Sequence, residues 1–352
     1  MNENQPPNTP HKRRARYAGK YPRRFSEKYK EHNPERYQET VEKVLASGKT
    51  PAGMHRPIMV AEVVEALALT PGSVVVDCTL GYGGHTLELL SRVQPGGKVI
   101  GLDADPIELP RTVERIRALG FGPDCFLAVR SNFAGLPQAL GELEITAVDA
   151  VLADLGVSSM QLDDPARGFT MKADGPLDMR MNPNRGQPAS AWLERRAPGP
   201  LEEVLRENAD EPHAKEIARA IAGKHFTTTR QLAESIQSAI PNAKTENRLD
   251  TIRRVFQALR IEINDEFSAL ESLLRNLPFC LKPGGRAVFL TFHSGEDRRV
   301  KRSFAEGLRA GTYSSISHEV VRASATERRE NPRSSPAKLR WAERGRDQKS
   351  EP

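Results

Sequence analysis

The sequence predicts an α/β protein, a doubly wound and largely parallel sheet with a helical domain inserted into it. Three observations predict it. Short β-branched runs alternate with helical stretches between Ser73 and Asp154, the first run enters a glycine-rich turn, and the alternation stops for over a hundred residues before resuming near Leu281. Strand and helix alternating at this spacing form right-handed βαβ units, and hence parallel strands.

Val60–Leu69 has helical spacing and is ended by Pro71-Gly72. The run Ser73–Asp77 suits a strand buried on both faces. Further strands are expected at Lys98–Asp103, Cys125–Val129 and Val148–Asp154, with helices at Thr86–Val93 and Pro106–Leu119 between them. Ser158–Asn184 reads as a loop rich in Gly, Pro and Asp. Helices follow at Ala214–Ala222, Arg230–Ile240 and Ile252–Leu277. A Leu281–Gly285 turn then leads into a strand at Arg286–Phe292, and a last strand is expected at Lys338–Ala342. The expected divisions are an extension over residues 1–50, a discontinuous sheet domain over 51–157 and 278–345, a helical insert over 158–277, and a tail over 346–352.

At 352 residues, with 38% hydrophobic and 28% charged composition, the chain reads as an ordinary globular protein. No apolar run is long enough to span a membrane and no apolar stretch follows the basic N-terminal residues, so a cytoplasmic location is expected. Cys78, Cys125 and Cys280 are widely spaced and form no CxxC pair, and read as small buried hydrophobes. The histidines show no ligand spacing, and no metal is expected. Residues 11–30 hold nine Lys or Arg against one Glu, with Tyr17, Tyr21, Phe25 and Tyr29 interleaved. That pattern suits either a nucleic-acid contact or a solvated tail.

The first candidate site is Asp77-Cys-Thr-Leu-Gly81-Tyr-Gly83-Gly84-His85-Thr86. A strand delivers an acid and then glycines, so backbone can pass close to a nucleotide. A dinucleotide fingerprint would place its third glycine where Thr86 stands. Asp103 closes the second strand, where a carboxylate can accept from ribose hydroxyls of either a dinucleotide or S-adenosylmethionine. The Leu-Lys-Pro-Gly-Gly turn before a late strand is a habit of class I methyltransferases. The second candidate is Asp154, at the end of a strand two on from Asp103, where open α/β sheets hold the reacting end of a ligand.

From Asp154 the residues become idiosyncratic. Asp154-Leu-Gly-Val-Ser-Ser-Met-Gln161-Leu-Asp-Asp164, Arg167-Gly-Phe169 and Asp174-Gly-Pro-Leu-Asp178-Met-Arg-Met181 resemble the ribosomal RNA small-subunit methyltransferase H family, also called MraW. Ser131-Asn132-Phe133, Ala214–Ile221, Phe256–Ile261, Thr291–Arg298 and Asn331–Ser334 extend the resemblance from about His55 to Arg344. It implies a class I methyltransferase, with a Rossmann-like sheet and a helical substrate-recognition insert, that methylates N4 of a cytidine in small-subunit ribosomal RNA. Carried over by position, S-adenosylmethionine should contact Gly83, Gly84, His85, Asp103, Phe133, Asp154 and Gln161. For His85, a helix-start residue bonded to backbone is the other reading. The sequence departs from the family where Asp250-Thr251 replaces a His-Pro, where Ala209-Asp210-Glu211 replaces Gly-Glu-Glu, and where Gly295 replaces a Leu.

The expected chemistry gives Asp154 the role of acceptor for the cytosine amine. His293 and Ser294 would line the base pocket, and Asp178 and Arg180 would hold the target nucleotide. His293 reads equally as a strand-end residue satisfied locally. The expected partner is small-subunit ribosomal RNA or its particle, with monomer and homodimer both open. Alternatives are an NAD-type oxidoreductase, a non-catalytic ribosome-assembly factor, and a methyltransferase acting on another RNA, on DNA or on protein.

Overall fold

The computed structural model describes residues 57–241 and 244–346. The basic N-terminal segment and residues 347–352 lie outside the described residues.

A buried run of β-branched residues can satisfy its backbone only between two neighbouring strands, and the sheet is built outward from such a run. Strand β1 (Val74–Asp77) pairs in parallel with β2 (Lys98–Asp103) on one side and β4 (Val148–Asp154) on the other. Strand β3 (Phe126–Arg130) continues the sheet beyond β2, and β5 (Leu281–Thr291) continues it beyond β4. Two antiparallel strands close the far edge, β7 (Lys338–Arg344) beside β5 and β6 (Tyr313–Ile316) outermost. The order is β3-β2-β1-β4-β5-β7-β6. Strand order reverses between β1 and β4, and a crevice opens beyond the strand ends at such a reversal.

Helices cover both faces. One face carries α1 (Val60–Leu67), α2 (Gly84–Val93) and α3 (Glu108–Ala118), with Leu89, Leu90 and Ile116 packed under them onto Val75, Val99 and Leu152. The other carries α4 (Leu136–Glu142), α11 (Glu266–Cys280) and α12 (Ser294–Arg309), whose Leu273, Leu277 and Phe304 pack onto Val151, Ala153 and Phe289.

Between β4 and α11 a separate apolar cluster forms. Short α5 (Ser159–Asp163) and α6 (Ala189–Glu194) precede α7 (Pro198–Ala209), α8 (Ala214–Ile221), α9 (Thr229–Ala239) and α10 (Thr245–Ile263). Leu193, Leu201, Leu205, Ile217, Leu232, Val255 and Leu259 fill their common interior. Helix α9 starts at a capping box in which Thr228 and Gln231 satisfy each other's backbone N–H groups. Helix α13 (Ala325–Glu330) lies before β7.

Four expectations differ from the structure. The segment Ser158–Asn184 is not loop throughout but opens with α5, started by a capping box of Ser158 and Gln161. The single helix expected over Ile252–Leu277 is two helices, because Asp265 takes a left-handed conformation (φ 56°) and Asn264 turns its side chain to a distant segment. The Leu281–Gly285 turn is an excursion inside one strand: Leu281 pairs with Val148, the register shifts, and Arg286 pairs with Ala150. Gly285 is needed there, since a Cβ would lie within 2.9–3.2 Å of three carbonyl oxygens. Cys125 is half-buried, unlike Cys78 and Cys280. Among the described residues no helix is long and apolar enough to cross a membrane, and no group of three His, Cys, Asp or Glu side chains is placed to hold a metal.

Candidate active site

Three parallel strands end on an aspartate at the reversal: Asp77 on β1, Asp103 on β2 and Asp154 on β4. The glycine turn after β1 arches over them. Gly81 (φ 48°) donates its N–H to Asp103 Oδ2 at 2.8 Å, and Gly83 (φ 82°) is the left-handed residue that starts α2. A side chain at Gly83 would be strained by that φ and would press on Ile116 and Thr112 at 3.0 Å. At Gly84 it would meet the Pro57 ring at 3.0 Å. Thr112 Oγ1 ties the turn down from α3 by donating to the Gly81 carbonyl at 2.6 Å.

Asp77 is buried and holds the floor together. Its Oδ2 accepts from Thr86 Oγ1 at 2.7 Å and its Oδ1 from the Thr79 N–H at 3.1 Å, while Thr79 Oγ1 accepts from the Asp154 N–H at 2.7 Å. Burial raises the Asp77 carboxyl above its ordinary range, against the lowering influence of His85 and these hydrogen bonds. Asp103 accepts from Gly81 N–H and from Asp105 N–H (2.8 Å at Oδ1), yet burial still pushes it up to about 6.

Asp154 differs from both. Its Oδ1 is closed off from solvent and has no hydrogen-bond partner among the described residues. Its Oδ2 lies 3.5 Å from His85 Nδ1. Burial again dominates, offset by His85 and reinforced by Asp77 and Glu296, and raises the carboxyl to about 6. His85 is buried, and its Nε2 lies 3.0 Å from the Ile58 carbonyl oxygen. A carbonyl only accepts, so Nε2 carries a hydrogen and Nδ1 is the atom left facing Asp154.

The other expected residues fall around this centre. Phe133 is half-buried in the short 3₁₀ turn after β3, against the apolar layer that includes Ile100 and Leu136. Gln161 is buried with its amide fully engaged: Oε1 accepts from the Ser158 N–H at 3.0 Å and Nε2 donates to Asp105 Oδ2 at 2.8 Å. His293 and Ser294 start α12, just past the end of β5, which pairs with β4 at Asp154. His293 Nδ1 accepts from the Glu296 N–H, whereas Nε2 is buried 3.0 Å from Glu296 Oε1 in an ion-pair contact without hydrogen-bond geometry, so the ring is only partly satisfied locally. Ser294 Oγ donates to Asp210 Oδ2 at 2.8 Å, and Arg298 joins the same carboxylate at 3.1 Å. Asp178 and Arg180 pair with each other through two side-chain hydrogen bonds of 2.8 and 2.7 Å. Burial alone would raise the Asp178 carboxyl, but Arg180 hydrogen bonds and the charges of Arg180 and Arg167 hold it below its usual range. Sequence reasoning missed Asp105 and Arg167, both buried or nearly so. The Asp103-Ala-Asp105 spacing was the available signal for the first.

Gly295, where the family pattern has Leu, also has a structural account. A Cβ there would sit 2.5 Å from Phe267 Cζ, and the Phe267 ring is covered by the Arg299 guanidinium 3.6 Å from its centroid. Gly295→Leu is expected to displace Phe267 and destabilise the protein by about 1–3 kcal/mol. The melting temperature measures this, and Phe267→Ala in the same chain should recover much of the loss.

The sequence profile of the MraW methylase family matches residues 52–345, the whole of the sheet, the site and the helical insert. The chain belongs to that family. The methylase is 48% identical over 349 residues to the ribosomal RNA small subunit methyltransferase H 1 of Lachnoclostridium phytofermentans, which covers 97% of this chain and 94% of that one. It is 48% identical over 339 residues to methyltransferase H 2 of Alkaliphilus metalliredigens, covering 94% and 97%. It is 42% identical over 319 residues to methyltransferase H of Thioalkalivibrio sulfidiphilus, covering 85% and 99%. As an enzyme of this family it depends on S-adenosylmethionine. The residues fit that group: a turn with glycine at 81, 83 and 84, a carboxylate at the end of β2 in Asp103, and a buried carboxylate oxygen at Asp154 still lacking a donor.

Proposed function

We propose that the methylase modifies small-subunit ribosomal RNA, and that its acceptor is the exocyclic N4 amine of a cytidine. The relatives it resembles over nearly its whole length carry small-subunit ribosomal RNA in their names. The observation that carries the choice of acceptor is the unpartnered Oδ1 of Asp154. A buried carboxylate oxygen without a donor is costly, and an amine N–H placed against it removes that cost as the reaction begins.

S-adenosylmethionine, when bound, supplies a methyl group already activated by its sulfonium. Gly83 and Gly84 let backbone lie close to it, Asp103 accepts from ribose hydroxyls, and Phe133 gives apolar contact to the adenine. The cytosine amine is a poor nucleophile because its lone pair is delocalised into the ring. Asp154, through its carboxylate or the adjacent backbone carbonyl, accepts a hydrogen bond from that amine and relieves the positive charge that grows on it. His85 Nδ1, facing Asp154 Oδ2, shares the proton that Asp154 receives. His293 and Ser294 line the base pocket, Ser294 with its hydroxyl engaged by Asp210 and His293 with Nε2 buried beside Glu296 and making no hydrogen bond among the described residues. Gln161 fixes the wall beside Asp105, and Asp178 with Arg180 holds the nucleotide. Residues 158–277 act as the substrate domain. The base leaves its stack to reach the site. The reaction belongs in the cytoplasm, where small subunits are assembled.

The test is to incubate the full chain with tritiated S-adenosylmethionine and small-subunit particles lacking the modification, then locate the label by mass spectrometry. Label on a cytidine base at N4 is expected. Label on another base, on ribose or on protein overturns the acceptor, and no transfer overturns the reading as a whole.

A further inference from the structure

Arg167 stands where the helical module meets the strand ends, and its side chain is only 10% exposed. Its guanidinium reaches in two directions. Nη1 donates to Asp105 Oδ2 at 2.8 Å, while Nη2 donates to the carbonyls of Met181 at 2.7 Å and Arg180 at 3.2 Å. Its own carbonyl accepts from the Met179 N–H at 3.1 Å. The segment Asp178–Met181 is therefore tied along its length to one residue. From the opposite side Asn264 clamps the same segment, accepting from the Met181 N–H at 2.7 Å and donating to the Met179 carbonyl at 2.8 Å. Met179 is held with φ 64°, a conformation a non-glycine residue keeps only where surroundings enforce it.

Asp105 is the fixed end of this arrangement. It is 1% exposed, its Oδ1 caps α3 through the Ile107 N–H at 2.9 Å, and its Oδ2 also receives Gln161. Its own N–H holds Asp103 Oδ1 at 2.8 Å. Thus the carboxylate at the cofactor end of β2 and the Asp178–Arg180 pair are joined by Arg167 alone among the hydrogen bonds described. The job demands arginine: a planar fork presents donors in opposed directions, whereas one ammonium on a flexible stem cannot hold a carboxylate and two carbonyls in one plane.

We propose that Arg167 is a positioning residue for RNA methylation, setting the Asp178–Arg180 pair at a fixed distance and angle from the strand ends. It touches neither the methyl group nor the reacting amine. It acts through Arg180, whose guanidinium is held by Asp178 and by the Gly186 carbonyl at 3.3 Å and whose side chain is 18% exposed. This rests on the reading of Asp178 and Arg180 as the residues that hold the target nucleotide.

The test is a double-mutant cycle in the full-length protein, with Arg167→Lys, Arg180→Ala and their combination assayed on unmodified small-subunit particles. Arg167→Lys is expected to lower kcat/KM for the particle about tenfold to a hundredfold, the scale of a misplacement by roughly 1 Å. Affinity for S-adenosylhomocysteine, measured by calorimetry, should stay within about twofold. In the Arg180→Ala background Arg167→Lys should add little, because two residues acting as one unit are not additive. Wild-type rates in Arg167→Lys, or losses that simply multiply in the double variant, overturn the proposal. Asp105→Asn keeps the helix-capping oxygen and removes the charge that Arg167 meets, and must show the same split. If it behaves as wild type, the proposal also fails. Wild-type turnover on the particles separates this result from the reading beneath it, since an inactive parent chain defeats the function and not the role of Arg167.

Discussion

Asp154→Asn is expected to lower the rate of methyl transfer by about two orders of magnitude or more while leaving S-adenosylhomocysteine affinity within a few-fold. Asparagine keeps the shape of the side chain and its acceptor oxygen but can no longer take charge from the amine. Single-turnover kinetics reads the first quantity and calorimetry the second. Near-wild-type turnover would remove Asp154 from the chemistry. The same substitution should make the ligand-free protein more stable at pH 8. The sign follows from the raised carboxyl: a group at about 6 in the folded chain and 3.8 in the unfolded one binds its proton more tightly when folded. Its stabilising contribution is complete below about pH 4 and is lost as pH rises through 6. Above that range the buried charge costs up to about 3 kcal/mol, an upper bound because part of the side chain reaches solvent. Asparagine has no such cost, so a rise of a few degrees in melting temperature is expected at pH 8 and little change at pH 4.

Asp103 is raised to about 6 by the same cause, so two carboxylates of the free enzyme titrate together. The acid limb of kcat/KM for S-adenosylmethionine should therefore fall with a slope steeper than one below pH 6, and Asp154→Asn should reduce that slope to one. An unchanged slope in the variant would show that Asp154 does not need its charge.

Gly175→Ala is the second large effect. The glycine lies in the Asp174–Leu177 turn, where a Cβ would fall 1.9 Å from the Pro165 carbonyl oxygen and 2.7 Å from its carbon. Both are backbone atoms, so no rotamer relieves the overlap and the turn itself must move. Gly168 opposite it is equally closed, with a Cβ position 2.3 Å from the Pro176 oxygen. A shift here carries Leu177 and Asp178 away from their bonds to Thr227 and Ala189 and displaces the Arg180 pair. The expected result is a loss of about a hundredfold in kcat/KM for the particle, with cofactor affinity retained because no strand end is touched. Proteolysis within residues 165–181 should quicken. Wild-type kinetics would show that this turn does not hold the RNA.

Much of the fold was legible because it is written in short-range patterns. Val74–Val76 and Ala150–Ala153 are apolar without alternation, which only a strand covered on both faces permits, and Gly81 to Gly84 marks the turn that follows the first. The break between Ile263 and Glu266 was not read from the sequence; Asn264 and Asp265 are weak helix formers that tolerate a left-handed turn, and the bonds of Asn264 to Met179 and Met181 fix the stop there. Helix α12 was missed for a related reason: its polar sequence hides a single buried face of Val300 and Phe304.

The sequence by itself determined six of the seven strands, all but the short polar edge strand β6, together with the glycine turn, the acids ending β1, β2 and β4, and membership of a methyltransferase family, because each depends on residues within about ten positions of one another or on a long matching pattern. Tertiary structure alone decided which polar groups are already satisfied and which are left open. Gln161 and Ser294 carry the same donors and acceptors in any fold, and only packing gave them Asp105 and Asp210 as partners. Arg167 meets Asp105 across 62 residues. Hydrogen bonding is directional and short-ranged, so its partners are fixed by where the chain has brought them and by nothing local to either residue.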